Sequence, residues 1–187
     1  MDQDLVVRAQ HGDRRAFEAI ATADYPRLYR LALGVLRERG SAEDACQDAL
    51  VRVWRSIPKL RDPARFEAWS YRLLMNACHD QARHGSRWLP EVVLTADVEP
   101  TAADAYRPVD ERDRLEHALS RLSVEHRAVL AFRYLVELTP DEIAASMGIP
   151  RKTVYSRLTR ATEAMRAALE AEDRLAIEAT QAQGAAR

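Results

Sequence analysis

Arg151, Lys152, Thr153, Tyr155, Ser156, Arg157 and Arg160 crowd into one ten-residue stretch. The chemistry such a set offers is recognition rather than bond-making. Guanidinium and ammonium groups meet phosphates, and hydroxyls, a phenol ring and arginine forks meet base edges. No comparable set for catalysis is present. His11, His79, His84, His117 and His126 are dispersed, with no nucleophile–base pair and no phosphate-binding loop. Cys46 and Cys78 are the only cysteines and form no CxxC, so neither a structural zinc site nor any other metal or cofactor is expected. Cys46 falls on an apolar helical face and reads as a reduced core thiol; a Cys46–Cys78 redox pair is the other reading.

A second set lies earlier in the chain. Lys59, Arg61 and Arg65 sit in a short basic connection, and Arg72, Asn76, Asp80 and Arg83 follow at helical spacing, with Trp69 at the edge of that stripe and Tyr71 nearby. Cations that track phosphates, interleaved with rings that take unstacked bases, suit single-stranded nucleic acid. A helix with a polar side over a Trp and Phe core has the same composition, and the residues alone do not decide between the two. A third face carries Glu43, Asp44, Gln47, Asp48, Val51, Arg52 and Arg55. Acids first and bases last obey the helix macrodipole. Val51 beside Gln47 and Asp48 is not explained that way and points to a docking surface.

The elements that must hold these sets are helices. In residues 138–169, Thr139 suits a helix cap, Pro140 the first helical position, and Glu142 the reciprocal arm of a capping box. Ile143, Ala144 and Met147 give the short helix an apolar face, and Gly148 suits the left-handed residue that ends it. A second helix begins near Arg151, with Val154, Leu158, Ala161, Met165 and Leu169 inward. Two helices set at an angle with a basic outer face form the geometry that enters a DNA major groove. An ordinary helical hairpin with a solvated basic face is the bland counterpart.

Upstream, a short helix is expected over residues 2–10 and another from Arg14, capped by Asp13, with Phe17, Ile20 and Ala21 inward. Pro26 marks a break or fresh start before Leu28, Leu31, Ala32, Val35 and Leu36. Gly40 ends that helix and Ser41 caps the next, whose Ala42, Ala45, Cys46, Ala49, Leu50, Val53, Trp54 and Ile57 fill one face. Pro58 ends it. A long helix over residues 66–84 turns Phe66, Trp69, Leu73, Leu74 and Ala77 inward. Helical pattern resumes at Glu111 with Leu115, Ala118, Leu119 and Leu122, and restarts at Ser123.

The chain has 187 residues, 47% of them hydrophobic and 30% charged, with a formal net charge of -1. Bulk charge therefore announces no nucleic-acid partner, and any such partner must be met by local patches. No apolar run reaches the ~20 residues of a membrane span. The segment MDQDLVVRAQHGD lacks the layout of a secretory signal, so a cytoplasmic protein without membrane insertion is expected. The stretch after Gly85 is rich in proline, small residues and acids, and reads as an extended linker, with an apolar patch of Trp88, Leu89, Val92, Val93 and Leu94. The fold class is thus all-α: two small helical domains joined by an extended linker, the second containing a helix-turn-helix. The boundaries are 1–86, a linker at 87–110, 111–171, and a frayed tail at 172–187.

Three segments, in order, resemble one family. Residues 42–54 (AEDACQDALVRVW), the run Phe66 to Arg72 with Asn76, Asp80 and Arg83 after it, and Leu122-Ser123, Arg127, Glu142-Ile143-Ala144 and Thr153–Leu158 together are similar to a bacterial RNA polymerase sigma factor of the small extracytoplasmic-function (ECF) group. The resemblance implies a promoter-specific transcription initiation factor, not an enzyme, with core RNA polymerase and promoter DNA as partners and an anti-sigma factor as a further candidate. It implies that Asp44, Gln47, Asp48, Val51 and Arg55 meet the clamp of the polymerase's largest subunit. It implies that Lys59, Arg61, Arg65, Trp69, Tyr71, Arg72, Asn76, Asp80 and Arg83 serve the -10 element. Arg151, Lys152, Thr153, Tyr155, Ser156, Arg157 and Arg160 would then serve the -35 element. Lys152 and Tyr155 depart from residue types common in relatives, so the promoter sequence is not carried over. A stand-alone helix-turn-helix regulator is the alternative; it would need a dimer surface that the sequence does not supply.

Overall fold

The computed structural model describes residues 2–85 and 109–185, and among these it is helical without strands. The N-terminal unit contains α1 (Gln3–Gln10), α2 (Arg14–Leu36), α3 (Arg39–Ser56) and α4 (Phe66–Gly85), with single tight turns at Ile57–Lys59 and Pro63–Arg65 before α4. The C-terminal unit contains α5 (Val109–Ser120), α6 (Val124–Tyr134), α7 (Pro140–Met147) and α8 (Arg151–Ala185). The linker with its apolar patch lies outside the described residues. The helix of α8 runs through the stretch read from the sequence as a frayed tail.

Local rules place most helix ends. The side chains of Asp2, Asp13 and Ser123 accept backbone N–H bonds from Asp4, Ala16 and His126, capping α1, α2 and α6. Two expectations are corrected. Pro26 does not break the chain: α2 is continuous through it. Pro26 lies on the exposed side, where the carbonyl it strips of a partner can face solvent. Nor does Gly40 end a helix or Ser41 cap one. The reversal comes earlier, at Arg37 with φ 66°, and Glu38 caps α3 by accepting from the N–H groups of Gly40 and Ser41. A carboxylate taking two amide protons makes a stronger cap than a serine hydroxyl, and the Ser41 side chain, together with those amide bonds, holds the Glu38 carboxyl below its usual pKa.

Packing follows the apolar stripes. One smaller cluster joins Val6, Ala9, Ala16, Ile20, Val53, Ile57 and Phe66 at the far end of the N-terminal unit. Another ties α5 to α8 through Ala118, Leu122 and Ala168. The main cluster ignores the domain boundary. Leu28, Leu31, Val35, Cys46, Tyr71, Leu74 and Cys78 share it with Ala128, Phe132, Ile143 and Val154 of the C-terminal unit. Trp54, expected inward, lies at the margin: its ring rests on Phe17 at 4.8 Å between centroids, and the residue remains 37% exposed. Cys46 and Cys78 are free thiols in the main cluster, both pushed up to about 12 by burial, which suits the reading as reduced core residues.

Candidate nucleic-acid and protein interfaces

The helix-turn-helix forms as its local chemistry dictates. The Thr139 hydroxyl accepts from the Glu142 N–H, and the Glu142 carboxylate accepts from the Thr139 N–H at 2.8 Å, completing the capping box. The Thr139 hydroxyl also donates to the Glu142 carboxylate at 2.7 Å, and that bond, with the one from the Thr139 N–H, holds the Glu142 carboxyl below its ordinary range. Gly148 closes α7 at φ 67°, in the left-handed region. Ile143 and Val154 are fully buried and lock the two helices to the core.

This packing leaves the start of α8 outward. Arg151, Lys152, Tyr155, Ser156 and Arg160 are exposed, and Thr153 and Arg157 are half-buried. Arg151 is already posed: its Nε donates to Asp141 at 2.9 Å and its guanidinium lies 5.4 Å from the centre of the Tyr155 ring. The seven residues expected to act together thus share the first turns of one helix.

The expected α4 stripe is less uniform. Arg72, Asn76 and Arg83 are exposed, and Lys59, Arg61 and Arg65 stand out from the connection before them. Asp80 is committed to ion pairs: it accepts from Arg52 at 2.8 Å and from Arg83. Trp69 is half-buried, with its ring tilted against Phe66. Tyr71 requires a correction. It does not stand on the surface; it is 1% exposed, packed edge-on against Phe132 at 5.5 Å and beneath the Arg27 guanidinium at 5.1 Å. Burial pushes its phenol up to about 12, and its hydroxyl has no hydrogen-bond partner among the described residues. The physical reason is the position of Phe132: a ring from the other unit covers the side of α4 that helical spacing alone leaves beside the stripe. Arg72 also has a role that its sequence neighbourhood does not announce. Its Nη2 donates to the carbonyl of Ala145 in α7 at 2.9 Å.

On α3, Asp44, Gln47, Val51 and Arg55 are exposed along one stripe and Asp48 is half-buried. Val51 is 44% exposed, an apolar side chain among polar ones. Asp48 accepts from Arg52 at 2.5 Å, and Arg52 ties it to Asp80 on α4, so Asp48 also braces α3 against α4.

Residues missed as functional positions from sequence are arginines inside the fold. Arg27 bridges Asp24 on α2 and Glu67 on α4 at 3.3 and 3.1 Å. Asp24 is buried, and that burial raises its carboxyl above the usual range despite Arg27. Arg127, inside the apolar run of α6, donates to three carbonyls, one of them in α2. The available signal was a cation within an otherwise inward helical pattern. Among the described residues, no group of three or more histidines, cysteines or acids is placed to hold a metal ion, and no helix is long and apolar enough to cross a membrane.

Known proteins share this arrangement. Residues 20–88 match the family model for Sigma-70 region 2, and residues 112–165 match that for Sigma-70, region 4. The chain is 32% identical over 160 residues to the ECF RNA polymerase sigma factor SigM of Mycobacterium tuberculosis, covering 86% of this chain and 80% of that protein. It is 31% identical over 163 residues to the ECF RNA polymerase sigma factor RpoE of Cereibacter sphaeroides, covering 83% of this chain and 87% of that one. Among solved structures, CnrH in complex with the cytosolic domain of CnrY superposes with a TM-score of 0.68 at 26% identity, covering 91% of this chain and 97% of CnrH.

Proposed function

The chain belongs to the family of ECF RNA polymerase sigma factors, which are promoter-specific transcription initiation factors, and we propose how its faces divide that work. The N-terminal unit, residues 1–86, docks on the clamp of the polymerase's largest subunit through Asp44, Gln47, Asp48, Val51 and Arg55. Its α4 stripe and the preceding loop engage the -10 element. The C-terminal unit, 111–171, reads the -35 element through the start of α8. The intervening residues, 87–110, link them. The protein acts in the cytoplasm by binding energy, without catalysis of its own. The sigma factor RpoE of Bartonella quintana is seen in complex with the anti-sigma factor NepR, and an anti-sigma factor is proposed here as a further partner.

The observation that carries the reading is the exposure of two chemically different faces on one chain. A basic, hydroxyl-rich face opens the helix-turn-helix, and a polar stripe with Val51 at its centre runs along α3. The first suits a phosphate-lined groove and the second a protein surface. The test is co-purification with core RNA polymerase, followed by transcription from a promoter library. Val51→Glu is the sharper probe of docking, because Asp48 also braces Arg52. The variant should lose core binding by about tenfold or more, ~1.4 kcal/mol. Undiminished binding would remove the α3 assignment. Tight, sequence-specific duplex binding by the protein without polymerase would favour the stand-alone regulator.

A further inference from the structure

We propose that Asp141, acting through Arg151, fixes the polarity of the Tyr155 hydroxyl, so that Tyr155 reads the -35 element as a hydrogen-bond donor and turns cytosine away. The proposal rests on the assignment of the start of α8 to that element, and it adds a residue of α7 that the assignment does not contain. Three contacts meet at one guanidinium. Nε of Arg151 donates to Asp141 at 2.9 Å, its Nη2 donates to the Tyr155 hydroxyl at 3.1 Å, and its central carbon lies 5.4 Å from the centre of the Tyr155 ring. Arg151 opens α8 and Tyr155 follows one turn later, so the two side chains share a face. Asp141 lies in the first turn of α7, which the capping box of Thr139 and Glu142 holds in place. Val154, fully buried, fixes the rotation of α8 beside Tyr155. The relay therefore runs from a fixed turn of one helix to the exposed face of the next.

The Arg151 and Asp141 side chains are 61% and 62% exposed, and an ion pair so exposed adds little to stability. Its consequence is direction. A guanidinium has five N–H donors and no acceptor. The Tyr155 oxygen that meets it must accept, and the phenol proton is left to point away from Arg151. A tyrosine hydroxyl without such a neighbour donates or accepts as its partner requires; this one is committed. Asp141 keeps the commitment, because an Arg151 whose Nε is released can swing to a phosphate and leave the hydroxyl to turn. Tyr155 is 47% exposed, and Lys152 and Ser156 are exposed beside it, so the proton has open access to a groove. In the major groove guanine offers two acceptors, adenine and thymine one each, and cytosine only the donor of its amino group. A donor backed by a cation favours guanine, tolerates adenine and thymine, and rejects cytosine, whose amino group would meet another donor.

The test is transcription by the holoenzyme, reconstituted from core RNA polymerase and the full chain, on a promoter library randomised over the -35 element. Tyr155→Phe keeps the ring and removes the hydroxyl. It should erase, at one position, a bias against cytosine of about fivefold or more, and leave the other positions as they were. Asp141→Ala should lose most of the same bias at the same position, although Tyr155 is intact. Asp141→Asn retains an oxygen that accepts from Nε and should restore it, which a role for Asp141 through its charge on α7 alone would not give. An Asp141→Ala profile identical to the wild type, with that of Tyr155→Phe altered, would overturn the relay and keep α8 on the -35 element. Cytosine favoured at the position that Tyr155→Phe changes would overturn the donor polarity. A Tyr155→Phe profile identical to the wild type, while Arg160→Ala lowers transcription, would remove Tyr155 from base reading and the relay with it. If neither Tyr155→Phe nor Arg160→Ala alters the yield or any position, the -35 assignment of α8 itself falls.

Discussion

The start of α8 and the outer stripe of α4 carry similar side chains and are held in opposite ways. On α8 the cations are posed by neighbours in the same hairpin: Asp141 holds Arg151, and Arg151 lies near the ring of Tyr155. On α4, apart from the Arg83–Asp80 pair within the helix, the partners come from elsewhere: Ala145 takes Arg72, Arg52 takes Asp80, and Phe132 covers Tyr71. The first face is complete within its own motif. The second is defined by what packs on it. A basic helix is therefore not a binding site by composition alone, because the partner that satisfies its charges decides its availability.

The comparison can be broken most severely at the shared ring contact. Phe132→Ala should cost about 3–5 kcal/mol. Because the main cluster spans both units, tryptophan fluorescence from Trp54 and Trp69 in the N-terminal unit should report that loss in a denaturant titration. An unchanged tryptophan transition would show that the units do not share a core. Next in size is Arg72→Ala, for which promoter opening by the holoenzyme should fall about tenfold, ~1.4 kcal/mol of lost interaction. Wild-type open-complex yield would mean that this arginine serves only α7.

Smaller effects belong to α8. Arg157→Ala should weaken promoter binding severalfold and lower the slope of log affinity against log salt by roughly one, because one phosphate is no longer neutralised. A slope identical to the wild type would turn Arg157 away from the backbone. The smallest is Thr139→Ala, which removes the cap of α7 and should cost about 1 kcal/mol in thermal unfolding. This step carries a pH signature. The Glu142 carboxyl is held below its unfolded value, so its contribution is present at neutral pH and is lost as pH falls through the depressed value, below 4.5. Thr139→Ala removes the hydroxyl that depresses it, and the difference between variant and wild type should shrink on that acid side. A difference constant with pH would mean that Glu142 does not feel the cap.

What could be read from sequence divides along the same line. Thr139, Pro140, Glu142 and Gly148 act on their own backbone, so the hairpin was legible down to its capping box. The stripe of α3 was legible because its inward alanines leave only one face for Asp44, Gln47, Val51 and Arg55. Tyr71 was not, since its burial depends on Phe132, distant in sequence. The reversal at Arg37 was missed because Gly40 and Ser41 satisfy the ordinary stop and start rules, while a Glu38 carboxylate taking two amide protons outcompetes them. Arg127 was visible as a residue, but its reach to Val35 is a property of packing.

Cys46 and Cys78 add a practical consequence. Both are fully buried in the cluster that joins the units, and both thiols are pushed up to about 12. A thiol-specific reagent meets no reactive thiolate there until that cluster parts. The chain thus carries two internal clocks. The rate at which each cysteine becomes labelled counts the openings of the structure around it, and a polymerase, a DNA strand or a sequestering protein that changes the arrangement of the two units will change that rate without any probe being introduced.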